Sequence, residues 1–156
     1  MSKRKKGNFG TRGKTPKGKH IPITKQPKSF TGTHPVWSFL YADKDQWSIT
    51  SEKSQKIFMT EVISKLRDLE TQTWDEINIK NKSRNHRDHD LKYNKCAIDR
   101  AEEIGLELGP VQSLRLSGTH RLYGFLDEGW IFRIVWFDID HGENKTCVCP
   151  SYKKCT

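Results

Sequence analysis

The sequence predicts an α+β domain behind a disordered basic arm, and three observations carry that prediction. Residues 1–28 contain ten Lys or Arg and no acid. The middle of the chain repeats apolar residues at helical spacing, and the last third alternates apolar and polar residues between tight turns. At 156 residues, one domain is expected. The expected element order is β-α-α-β-β-β, an antiparallel sheet with two helices packed on one face, over residues 34–156. Residues 1–33 form the arm.

The arm follows from charge. The formal net charge is +9, but outside residues 1–28 there are 18 bases against 19 acids, so the rest of the chain is nearly neutral. A segment with so few large apolar side chains cannot bury enough surface to offset its ordering entropy. Phe9 and Ile21 are too isolated to change this. Clustered cations release counterions from nucleic acid, so Lys3, Arg4, Lys5, Lys6, Arg12 and Lys14 are candidate phosphate contacts, against the plainer reading of a solubilising tail.

The elements follow in order. Val36–Ala42 is β-rich and ends at Asp43-Lys-Asp45, which predicts a first strand. Thr50 or Ser51 caps a helix over 51–70 whose buried stripe is Phe58, Val62, Leu66 and Leu69. Thr73-Trp-Asp-Glu76 fits a capping box opening a helical turn, with Trp74 covering the core. Asn78–Asp90 is polar and reads as an exposed basic loop. A second helix over 91–107 places Cys96, Ala97, Arg100, Ala101 and Ile104 at helical spacing and stops before Gly109-Pro110. Ser113–Ser117, His120–Leu126 and Trp130–Phe137 then form a three-stranded meander, turning at Gly118-Thr119 and Asp127-Glu-Gly129.

Two constellations bear on chemistry. Arg115, Arg121 and Arg133 lie on consecutive strands, where guanidinium forks sharing a sheet face would bind phosphate oxygens; the alternative is that each pairs with an acid such as Asp138 or Asp140. Beyond the last strand, Asp140 stands next to His141, a carboxylate able to hold an imidazole for proton transfer; a plain surface histidine is the competing reading. His120 and Tyr123 are weaker candidates for the same site. Cys147-x-Cys149 with Cys155 and His86-x-x-His89 fit no common zinc spacing, and no phosphate-cradling glycine loop or nucleophile elbow occurs, so neither metal nor cofactor is expected. With no signal peptide and no membrane span, a cytoplasmic protein with reduced thiols is expected.

The segment Leu114-Arg115-Leu-Ser117-Gly118-x-His-Arg121-Leu122-Tyr123, followed by a hairpin and an apolar strand, resembles the core of RelE/HigB-type toxins of bacterial toxin-antitoxin systems. The likeness spans roughly residues 36–150 and is sharp over about 30 of them. It implies metal-independent cleavage of mRNA, often on the ribosome, and a cognate antitoxin as partner. By this resemblance Arg121 matches the arginine after the Ser-Gly turn, and Asp140 and His141 match acidic and histidine positions after the final strand. Gln112 and Ser113 depart from it, standing where RelE-like members often carry lysines.

In such a reaction a ribose 2′-hydroxyl attacks the adjacent phosphate. Arg121 with Arg115 would then stabilise the phosphorane, and His141, oriented by Asp140, would move protons with Lys145 assisting. The second reading is a non-catalytic nucleic-acid-binding or ribosome-associated module, for which the arm and basic loop would suffice without any active site. An inactive toxin relative acting through protein interaction is the third reading.

Overall fold

The structure, a computed structural model, describes Ile21 and residues 32–80, 92–142 and 148–149. The fold is α+β. Strand β1 (Val36–Ser38) is followed by helices α1 (Glu52–Ile57) and α2 (Ile63–Glu70), joined by a π-helical turn over Phe58–Val62. Helices α3 (Trp74–Lys80) and α4 (Lys95–Ile104) come next, then β2 (Gln112–Ser117), β3 (His120–Leu126) and β4 (Ile131–Asp138).

The helix expected over 51–70 is present as continuous helical backbone. Ser51 caps it, accepting from the Ser54 backbone N–H, and the stripe Phe58, Val62, Leu66 and Leu69 is buried as its spacing requires. The capping box is reciprocal: Thr73 N–H donates to Glu76 Oε2 at 2.9 Å, and Glu76 N–H to Thr73 Oγ1 at 3.3 Å. Helix α4 stops earlier than expected. Gly105, not Gly109, ends it, because at φ 68° Gly105 takes the left-handed conformation and donates back to Ala101 and Glu102.

The sheet order is β1-β4-β3-β2, and its three long strands form the expected antiparallel meander. Two details correct the expectation. First, β1 runs parallel to β4, with Val36 opposite Ile131 and Ser38 opposite Arg133, because the helical crossover returns the chain in the same direction before the meander begins. It is also shorter than the apolar run suggested, since the chain turns at Phe39, where Ala42 N–H bonds the Phe39 carbonyl.

Second, helices cover both faces. One core joins α1 to α3 with Leu114, Leu122, Leu126, Phe132, Ile134 and Phe137; the other joins Ala97 and Ala101 of α4 with Tyr123, Phe125, Val135 and Trp136. The reason lies in the strands: β3 and β4 are apolar at both parities of their alternation, so each face needs a cover. An extra residue at Val135 lets β4 present Val135 and Trp136 to the α4 side, Tyr123 pairing with Trp136 and Gly124 with Ile134.

A buried ion pair ties the second layer together. The Asp43 carboxylate accepts from Arg100 of α4 at 2.6 and 2.7 Å and from the Trp136 indole at 3.1 Å. Most of the expected arm lies outside the described residues, but Ile21 does not. Its side chain is buried in the second core and its N–H bonds the Gly105 carbonyl at 3.2 Å, so this residue packs on the domain despite its isolation in sequence. Thr33 also belongs to the domain, since its carbonyl accepts the Trp74 N–H.

Candidate functional site

The end of the sheet where β2 turns into β3 and β4 terminates collects the polar residues. Register sets the arrangement. Arg115 of β2 stands directly opposite Arg121 of β3, and Arg121 opposite Asp138 of β4, so the three form a row across three strands. Strand alternation puts Arg121, Tyr123 and Phe125 on one face, and the packing of Tyr123 and Phe125 identifies it as the α4 side.

Arg121 is 8% exposed. Its Nη1 donates to the carbonyls of Gly118 and His120, both at 2.9 Å, which fixes the guanidinium against its own turn. No carboxylate forms a salt bridge with it among the described residues. Burial, and next the charge of Arg115, lower its pKa from the ordinary arginine value against the weaker pull of Asp138. Arg115 is exposed. Like charges directly opposite on a sheet disfavour one another, and a bound anion would offset that repulsion.

His141 reaches the same face from the turn after β4. Its N–H donates to the Thr119 carbonyl at 3.1 Å, and its Nδ1 lies 3.0 Å from the Tyr123 hydroxyl. Tyr123 is fully buried, and burial, then the adjacent Cys149, raises its pKa well above the ordinary phenol value. Asp138 is buried beside them; its carboxylate accepts the N–H groups of Asp140 at 3.0 Å and Val148 at 2.8 Å. That second bond fastens residues 148 and 149 over the face, where Val148 and Cys149 are both buried. Burial is the main cause of a pKa for Asp138 above the usual carboxylate value.

Of the residues expected at the site, Arg115, Arg121 and His141 therefore share one face of one sheet end. Asp140 does not take the role expected of it. Its carboxylate is engaged by Lys53 of α1 at 3.1 Å, toward the other layer, because the chain bends after Ile139 and sends successive side chains to opposite sides. Arg133 pairs with Asp127 and donates to Ser38 at 2.8 Å, joining the β3–β4 turn to β1. His120 lies on the opposite face, with the α1–α3 core, 3.0 Å from the Ser117 hydroxyl and edge-on to Phe137. Lys145, Cys147, Cys155, residues 81–90 of the expected basic loop and the arm cations Lys3, Arg4, Lys5, Lys6, Arg12 and Lys14 lie outside the described residues, while residues 78–80 of that loop instead complete α3.

Tyr123 is more central than a weaker candidate, and Asp138 and Cys149, expected as an ion-pair acid and as part of a cysteine spacing, instead pack beside it. The signal for Tyr123 was present, since it follows Arg121 by the two residues that return a strand to the same face. Asp138 and Cys149 gave none, because their role depends on the segment after β4 folding back. Among the described residues, no group of three His, Cys, Asp or Glu side chains is placed to hold a metal ion, and no helix is long and apolar enough to cross a membrane. No protein-family model, curated protein or solved structure matches the chain.

Proposed function

We propose that this protein is a toxin-like endoribonuclease of the RelE/HigB type. It cleaves mRNA, free or on the ribosome, without a metal ion, acts in the cytoplasm and is held in check by a cognate antitoxin. The observation that supports this best is the cross-strand pair of Arg115 and Arg121, like charges in direct register within reach of the face that carries His141. A phosphate diester relieves their repulsion, and a phosphorane, bearing more negative charge, relieves it further. That difference in binding is what accelerates the chemical step.

In this reaction Arg121, fixed by two backbone carbonyls, stabilises the developing charge together with the exposed Arg115. His141 exchanges protons with the attacking 2′-hydroxyl and the departing 5′ oxygen. The basic arm and Lys145 add attraction to the RNA backbone independent of sequence.

Cleavage of a labelled mRNA, free and on translating ribosomes, tests the reading. Arg121→Ala and His141→Ala are each expected to slow it by on the order of 10²-fold while the proteins stay folded. Equal cleavage by wild type and both variants, or RNA bound but never cut, would contradict it and leave a binding module.

A further inference from the structure

We propose that Tyr123 is the positioning residue of His141: its hydroxyl holds Nδ1 against the sheet, so that Nε2 is the atom that exchanges protons with RNA. The inference rests on the endoribonuclease reading for its consequence, but the contact itself is geometric, with 3.0 Å between the phenol oxygen and Nδ1.

An imidazole that moves protons at one nitrogen needs the other one held, or the ring turns and its tautomers mix. His141 sits on a turn, tied to the protein through its backbone N–H. Tyr123 is the opposite case. It is fully buried on β3, flanked in register by Ser113 of β2 and Trp136 of β4, with Cys149 packed beside it. The hydrogen bond therefore lends the rigidity of the sheet to a side chain on a turn.

The nearest carboxylates do not fit this role. Asp140 is drawn to Lys53, and both oxygens of Asp138 accept backbone N–H groups. A hydroxyl also suits a ring that changes charge, because it accepts from Nδ1–H while the ring is either the neutral base or the imidazolium, and itself stays neutral. Burial reinforces that neutrality by holding the phenol proton on. Arg121, Asp138 and Cys149 are the ionisable groups that face it.

The test is Tyr123→Phe in the full chain, which keeps the ring and removes the oxygen. Long-range ¹H–¹⁵N spectra of the neutral His141 ring are expected to show the Nδ1–H tautomer in the wild type and averaged tautomers in the variant. The kcat for RNA cleavage is expected to fall about tenfold with KM unchanged. A variant with the wild-type tautomer, or with unchanged kcat, would overturn the proposal. Should the variant fail to fold, the wild-type spectrum still decides, since mixed tautomers there would overturn it. A wild-type protein that shows the tautomer but cuts no RNA would instead remove the endoribonuclease reading, and the catalytic consequence of the contact with it.

Discussion

Removing the Asp43 carboxylate tests what holds α4 to the sheet. Its side chain is 1% exposed, and it accepts two hydrogen bonds from Arg100, one from the Trp136 indole at 3.1 Å and one from the Asp45 N–H at 2.9 Å. Asp43→Ala leaves a buried indole N–H and part of a guanidinium without acceptors. Breaking a buried pair by deleting one partner costs about 3–5 kcal/mol. Arg100 keeps Asp45 at 3.0 Å and Glu103 at 2.8 Å, so the lower end, about 3 kcal/mol, is expected. For a chain of this size that corresponds to a fall in melting temperature of roughly 10 °C.

The pH dependence has a definite sign. Burial pushes the Asp43 pKa up, but Arg100 and the Asp45 N–H outweigh it, and the net shift is downward. A carboxyl with a depressed folded pKa contributes stability that is fully present above its unfolded value and lost as pH falls through the folded one. Asp138, shifted the other way, partly masks this in the wild type, so the difference between the two proteins is the quantity to measure. Thermal melts followed by circular dichroism between pH 7 and pH 2 should show the two curves converging on the acid side. A variant within about 1 kcal/mol of wild type at pH 7, or a gap that does not narrow in acid, would refute the reasoning.

Three further perturbations probe the frame around the site. At Gly124 an added Cβ would lie 2.7 Å from Cε1 of Phe132 and still closer to the Arg133 carbonyl oxygen, so Gly124→Ala should cost about 3 kcal/mol or more in chemical denaturation. A near-neutral effect would mean that the strands there can separate. Deleting residues 1–20, which removes eight Lys or Arg, should leave the melting temperature unchanged and flatten the salt dependence of RNA binding. Ile21→Ala, which empties a buried position, should cost about 2 kcal/mol in the same melts. The reverse pattern would place the arm in the fold and Ile21 outside it.

Much of this fold was legible because its signals are local. The stripe Phe58, Val62, Leu66 and Leu69, the capping box at Thr73 and the alternation in β3 each report on a few neighbouring residues, and each led to the right element. What the pattern did not carry depends on distant partners. Nothing in Val36–Ala42 tells that β1 will run parallel to β4, because the pairing is set by where the crossover returns. Helices cover both faces, not one, for a related reason: β3 and β4 are apolar at both parities, and which distant helix covers each face is not a local signal. At the site, alternation was enough to bring Arg115 and Arg121 together. The Asp140–His141 pair was inferred from adjacency in sequence, which says little after a strand ends, and Lys53 of a distant helix took the carboxylate instead.

The proposed nucleophile is an RNA 2′-hydroxyl at the face shared by Arg115, Arg121 and His141. The most direct measurement uses an RNA carrying a single 2′-deoxy substitution at a mapped cleavage site, with the product ends analysed by mass spectrometry. The intact RNA is expected to yield a 2′,3′-cyclic phosphate and a 5′-hydroxyl, and the substituted one to be uncut at that position. Cleavage at an undiminished rate without the 2′-hydroxyl, or products ending in a 5′-phosphate, would contradict the assignment.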